Sequence, residues 1–312
     1  MPKEGKKKRL LLEKDNETVK EQNYFVVKRN DLIRNSRYTL TLSQNRLLLF
    51  LISKIKPYDG IEKAYKVAIK DIIKVCEYYD KSGQYYTLIK KDLLKLRNSA
   101  IWVETARGIE TMGWLNKAVF LKPLKKGEYT EVLYSFDEGL ENYLFELREY
   151  YTQYNLEEVL LLTHKYSIRL FEYLMSYANM MYCIVSIEEL KERLDAKSYA
   201  NYTNFSKRII IPAVEDINAH TKLYIAYDEI KTGRTFTHIA FYIWGINPDA
   251  KNNSIEDMRI LAGTQANTHR RLTKEAKKQI DKKKIVPADG TITGQMDILE
   301  MLADYEKEKK SK

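Results

Sequence analysis

The chain contains two versions of one sequence pattern, set about 120 residues apart, and this repetition restricts the fold more than any single motif does. Arg46-Leu-Leu-Leu-Phe-Leu-Ile-Ser53 aligns without a gap on Arg169-Leu-Phe-Glu-Tyr-Leu-Met-Ser176. Downstream, Val67-Ala-Ile-Lys-Asp-Ile72 aligns on Val185-Ser-Ile-Glu-Glu-Leu190, and Tyr86-Thr87 on Tyr202-Thr203. Each copy then enters a strand-like run, Ile101-Trp-Val103 in the first and Leu223-Tyr-Ile225 in the second. The shared order, at a period far longer than a solenoid repeat, predicts two similar domains in tandem.

In the first copy, Thr41-Leu-Ser-Gln44 has the form of a capping box and predicts a helix to about Lys56. Its apolar residues, Leu47 to Ile52 and Ile55, cover most of its circumference, so it should be central and buried. Pro57, Asp59 and Gly60 end it. A strand over 65–69, a helix over 70–79, a turn at Ser82-Gly83 and a helix over 84–98 follow. Strands over 100–105 and 118–124 close the copy, with Arg107-Gly108 and Met112-Gly113 in the connection. The second copy reads as a helix over 163–179, a strand over 183–186, a helix over 187–194, a loop through 198–201 and a helix over 204–220. Strands over 222–227 and 235–244 flank a hairpin tip, Lys231-Thr-Gly-Arg234. This order is that of a winged helix-turn-helix. The expected fold is therefore α+β, with two tandem winged helix-turn-helix domains. A basic flexible tail takes 1–22, the first domain with its connector helix 23–152, the second domain 153–246, and a polar, partly disordered tail 247–312. The connector, 136–151, is rich in aromatics and should be a helix packed between the domains.

Of the 312 residues 44% are hydrophobic, enough for two cores. No apolar run approaches the ~18–20 residues that span a bilayer. Lys6 to Arg9 before Leu10 to Leu12 mimic a signal peptide, but the apolar stretch stops at Glu13, so a solvated tail on a cytoplasmic protein is expected. Cys76 and Cys183 are isolated and read as reduced core thiols. Fifty-three basic against 43 acidic residues give a net charge of +10, which favours a polyanionic partner.

The last helix of the second copy resolves by face. Phe205, Ile209, Ala213 and Ile217 form one apolar stripe, leaving Asn204, Lys207, Arg208 and Ile211 on the other side, with Thr203 as the expected N-cap. Pro212 should kink this helix or shift its register. Lysine and arginine donate to guanine, asparagine pairs with adenine, and an isoleucine meets a thymine methyl, so this face suits a major groove of double-stranded DNA. Lys231 and Arg234 on the hairpin tip suit the sugar-phosphate backbone; Lys91 and Lys95, which share a face of helix 84–98, suit it too, and fit a solvated surface helix equally well. Arg107, Lys125 and Lys126 are placed along the first wing.

Enzymatic readings fail on the residues. No GxxxxGK[ST] cradles a nucleotide, and the four histidines form no His-x-His pair beside a tyrosine nucleophile. No catalytic residue, metal or cofactor is expected, and the 24 tyrosines read as core and interface aromatics.

Tyr24-Phe-Val-Val-Lys-Arg-Asn-Asp-Leu-Ile33 with Tyr38-Thr-Leu-Thr-Leu-Ser-Gln-Asn-Arg-Leu47 resembles the opening of the initiator replication proteins of theta-replicating, iteron-bearing plasmids. Residues 199–218, with Phe205-Ser-Lys-Arg208, Pro212-Ala-Val and Asp216-Ile-Asn218, resemble the same family, and Lys231-Thr-Gly-Arg234 leading into Ile239-Ala-Phe241 looks like its second wing. The resemblance spans roughly residues 24–245. It implies binding of directly repeated origin sites as a monomer, autorepression as a homodimer, and recruitment of host initiator and helicase machinery. It also places base reading on Asn201, Asn204, Lys207 and Arg208, and backbone contacts and the dimer interface on the first domain. Some relatives carry three arginines where this chain has Ser206-Lys207-Arg208, so a base preference does not transfer. A winged-helix transcriptional repressor is the alternative reading. In the tail, Gln295-Met-Asp-Ile-Leu299 resembles the peptides by which replication proteins hold the sliding clamp.

Overall fold

The computed structural model describes residues 24–244 apart from 77, 79–83 and 123–129. The expectations for both tails, for the turn at Ser82-Gly83, for Lys125 and Lys126, and for the clamp-like peptide Gln295–Leu299 lie outside these residues.

The first half runs β1 (Phe25–Arg29), α1 (Asn30–Asn35), β2 (Ser36–Arg37), α2 (Leu42–Ile52), β3 (Tyr65–Ala68), α3 (Ile69–Cys76) and α4 (Tyr85–Asn98). It continues through β4 (Ala100–Thr105), β5 (Gly108–Gly113), β6 (Leu115–Leu121) and β7 (Glu131–Phe136). A 3-10 turn at Glu138–Leu140, α5 (Glu141–Leu144), β8 (Tyr151–Asn155) and α6 (Leu156–Leu160) lead to the second half. There follow α7 (Ser167–Met175), β9 (Tyr182–Ser186) and α8 (Ile187–Arg193). A three-part helix comes next: α9 (Tyr202–Phe205), a π turn at Ser206–Ile210 and α10 (Ile211–His220). The strands β10 (Tyr224–Thr232) and β11 (Thr235–Trp244) close the described chain.

The capping box forms as the sequence predicts. Gln44 N donates to Thr41 Oγ1 at 3.3 Å, and Thr41 N donates to Gln44 Oε1 at 3.0 Å. Every residue from Leu47 to Ile52 is buried, which makes α2 the axis of its domain. Buried polar groups on this helix need partners, and Gln44 Nε2 donates to Asp92 of α4, which also accepts from Tyr78. The helix ends at Ile52, short of Lys56, and Ser53 at its end donates its hydroxyl to Phe50 O at 2.7 Å. Ser176, its match in the repeat, closes α7 on Tyr173 O at the same distance.

Sheet order identifies the corresponding strands. The first half pairs β3-β7-β6 and the second β9-β11-β10, the same antiparallel arrangement. The counterpart of β10 in the first copy is therefore β6, and the expected match of Ile101–Val103 with Leu223–Ile225 is corrected. The β4–β5 hairpin is an insertion between α4 and the wing, and it pairs instead with β2. Alternation of buried Ile101 and Val103 with exposed Trp102 marks a half-buried strand but carries no information on its neighbour. Arg107 consequently sits in the turn of this inserted hairpin and not on the first wing, which joins β6 to β7.

The connector is also corrected. Only Glu141–Leu144 is α-helical there, and Glu146 and Tyr150 adopt left-handed φ of 47° and 54°, which an α-helix cannot continue through. The chain then returns as β8 against β1, with Val26 opposite Tyr154 and Lys28 opposite Thr152. The connector aromatics Tyr143 and Phe145 are buried, and Phe145 meets Phe136 of β7 edge-on at 6.0 Å.

The halves are joined by one continuous apolar cluster and by buried polar contacts. Lys28 Nζ lies 2.7 Å from Glu172 Oε1, both almost fully buried, and Tyr154 donates to the same carboxylate. Arg34 of α1 stacks 3.9 Å from the Tyr177 ring and donates to Ser176. Among the described residues no helix is long and apolar enough to cross a membrane.

Candidate nucleic-acid interface

Asn201, not Thr203, caps the last helix of the second half. Its Oδ1 accepts from Thr203 N at 2.7 Å and Asn204 N at 3.3 Å, so the helix starts at Tyr202, two residues earlier than periodicity indicates. Pro212 then has its predicted effect. A regular α-helix would require its nitrogen to donate to the Arg208 carbonyl, which proline cannot do. The misfit is absorbed by the π turn, in which Ile211 N donates to Ser206 O.

This turn keeps the faces straight. On a regular helix residues four apart drift by about 40° per step. Here Phe205, Ile209, Ala213 and Ile217 all remain fully buried over three such steps, with Ile210 and Val214 beside them. The opposite side carries exposed Thr203, Asn204, Lys207, Arg208, Ile211 and Glu215. Neither Lys207 nor Arg208 has an acidic partner among the described residues. Asn204, Lys207, Arg208 and Ile211 are thus brought together as the sequence predicts, with capping Asn201 at the head of the row.

The wing is longer than the sequence indicates, because β10 extends to Thr232 and leaves only Gly233 and Arg234 in the turn. Gly233 has a φ of 63°, the left-handed conformation such a two-residue turn requires. Arg234 is exposed at the tip, and Lys231 sits one pair back with its Nζ 4.2 Å from the centre of the Phe236 ring. A bulge between Ile230 and Lys231 twists this end of the hairpin.

Residues 25–175 match the family described as "Initiator Replication protein, WH1", and residues 186–243 match "Initiator Rep protein, WH2". The chain belongs to the initiator replication protein family. A curated "Replication initiation protein" from Escherichia coli is 26% identical to this initiator over 233 residues, or 70% of this chain and 69% of the relative. The initiator's fold also matches a crystal structure of Pi initiator protein in complex with iteron DNA. That match has a TM-score of 0.57 and 18% identity, over 72% of this chain and 98% of the other.

In the first half of the initiator, Lys91 and Lys95 lie exposed on α4, while Ile89, Leu93 and Leu96 hold that helix to the core. They occupy the corresponding helix of the other copy, an element separate from the Asn204–Ile211 row. Sequence reasoning passed over Glu229. On β10 it accepts from Tyr202 OH at 2.7 Å and Ser206 Oγ at 3.3 Å, tying the last helix of this half to the wing. Burial and this carboxylate push the Tyr202 hydroxyl well above the usual tyrosine range. Among the described residues no cluster of three or more His, Cys, Asp or Glu is placed to hold a metal, and both cysteines are buried.

Proposed function

We infer that this initiator binds double-stranded DNA at directly repeated sites of a plasmid origin. Asn204, Lys207, Arg208 and Ile211, headed by Asn201, read base edges in the major groove. Lys231 and Arg234 on the wing, with Lys91 and Lys95 on α4, hold the backbone. The observation that carries this reading is the straight outward row on the π-turn helix, whose two cations lack acidic partners among the described residues, beside a cationic wing tip. In this reading the protein acts by binding alone in the cytoplasm: it marks and helps open the origin, and host initiator and helicase proteins supply ATP hydrolysis and unwinding. Monomers occupy the repeats and a homodimer represses the gene. Trp102 and Ile109, 51% and 65% exposed on the inserted hairpin's sheet, support a dimer contact on the first half. A repressor without a replication role is less favoured, because both family matches and the curated relative are replication initiators.

The test is selection of duplexes from a random pool by the full chain, followed by footprinting on the plasmid that carries its gene. The expected result is one enriched motif recurring as direct repeats about two helical turns apart. Enrichment without a motif, or a single inverted site at a promoter, would overturn the replication reading.

A further inference from the structure

Glu229 faces two parts of the reading helix at once. Its Oε1 accepts from Tyr202, the first helical residue, and from Ser206, the first residue of the π turn. Lys207 and Arg208 follow Ser206 directly. The Tyr202 ring is also stacked on Phe236 of β11, with centroids 4.6 Å apart and planes 30° apart. The other side of the system is the wing, since the Lys231 ammonium lies over the same Phe236 ring. Contacts therefore run from the start of the reading helix through the Tyr202 ring to Phe236 and the wing cation, and through the Tyr202 hydroxyl to Glu229 on β10.

We propose that Glu229 and Tyr202 are positioning residues for sequence discrimination, fixing the reading helix against the wing so that Lys207 and Arg208 meet base edges while Lys231 and Arg234 meet the backbone. This rests on the DNA-reading assignment above. The physical case is geometric. Bidentate base contacts tolerate little displacement, whereas attraction to phosphate is long-ranged and survives it. Loosening the link should thus reduce discrimination more than overall DNA affinity. A carboxylate between the two elements of a DNA-binding face repels phosphate and adds no affinity of its own, so its presence there is accounted for by orientation and not by attraction.

The test uses the full chain, with its selected duplex and a random duplex of equal length as probes. Tyr202→Phe keeps the ring stack and removes the hydroxyl; Glu229→Ala removes the acceptor; Glu229→Gln keeps an acceptor oxygen and removes the charge. The expected result is a loss of about three- to tenfold in preference for the selected duplex in Tyr202→Phe and Glu229→Ala, the scale of one net hydrogen bond. Adding Tyr202→Phe to Glu229→Ala should change little, since the acceptor of the Tyr202 hydroxyl is already gone; Glu229→Ala by itself also removes the Ser206 bond. Glu229→Gln should retain most of the preference and bind random duplex more tightly. Unchanged melting temperature in Tyr202→Phe separates positioning from loss of fold. Full preference in Tyr202→Phe and Glu229→Ala, with preference lost in Lys207→Ala, overturns the coupling and leaves the reading helix in place. Preference intact in both Lys207→Ala and Arg208→Ala overturns the coupling and the assignment beneath it.

Discussion

Arg46 and Arg169 occupy the same position of the two copies, and each reaches out of its own helix to backbone at the join between the halves. Arg46 Nη2 donates to Leu162 O at 2.8 Å, just ahead of the second copy's central helix. Arg169 Nη2 donates to Ser36 O at 3.0 Å and Arg193 O at 2.9 Å, and its guanidinium lies 3.8 Å from the Tyr38 ring centre. A planar guanidinium lies flat on the ring while its edge donates to two carbonyls, a fixed geometry that a flexible ammonium stem does not hold. Arg169→Lys is expected to destabilise the chain by about 1.5–3 kcal/mol, the range for lost hydrogen bonds to a charged group. Urea unfolding of the full chain measures it, and an unchanged midpoint would mean these hydrogen bonds contribute nothing net.

Lys207→Ala and Arg208→Ala should each cost about 1–3 kcal/mol on the selected duplex and much less on random DNA, as expected for side chains that read bases. Titration of both duplexes distinguishes the cases. Equal losses on the two would assign these residues to phosphate.

The wing should behave oppositely. Neutralising Lys231 and Arg234 together is expected to weaken selected and random DNA alike. The slope of log K against log salt should become shallower by about 0.9 for each phosphate that the altered wing no longer neutralises. A slope that does not move would place the wing tip in solvent.

Acid should destabilise the fold in two stages. Burial holds the imidazoles of His164 and His238 below the ordinary value of 6.5, with Asp216 pulling His164 partly back. Below pH 6.5 the unfolded chain takes up protons that the native state refuses, so stability falls with pH. Asp216 comes next. Burial alone would raise its carboxyl, but the polar groups around it, the nearby Ser167 hydroxyl and the donating His164 amide and Thr163 amide and hydroxyl, hold it below its usual 3.8. Its contribution is present above that value and disappears as pH falls through the lower native one. Urea unfolding from pH 8 to pH 3 should show both stages, and His164→Gln with His238→Gln should flatten the first alone.

The repeat, the capping box and the apolar stripe at Phe205, Ile209, Ala213 and Ile217 were legible because each is a local pattern with a fixed period. What could not be read was pairing. Ile101-Trp-Val103 has the alternation of any half-buried strand, so the inserted hairpin passed for the wing, and β7, with buried Val132, Tyr134 and Phe136, was missed although it alternates equally well. The connector failed for a related reason, since nothing in its composition announces left-handed φ at two non-glycine residues. On the reading helix, Lys207 and Arg208 could be found from the wheel, and Pro212 signalled the register shift. Glu229 could not be found, because its role depends on a strand partner 27 positions from Tyr202.

The widened turn ahead of Pro212 has a genetic consequence. In most helices, losing one codon rotates everything on one side of the deletion by about 100° and strips the core face. Within Ser206–Ile210 the chain already holds one residue more than a regular turn needs. A deletion there can return the turn to ordinary helical winding with both flanks still in phase, so Phe205 ahead of it and Ala213 after it keep facing the core. This stretch is therefore where the helix should best tolerate the loss of a residue, and a deletion here should lower the urea midpoint less than one in α10.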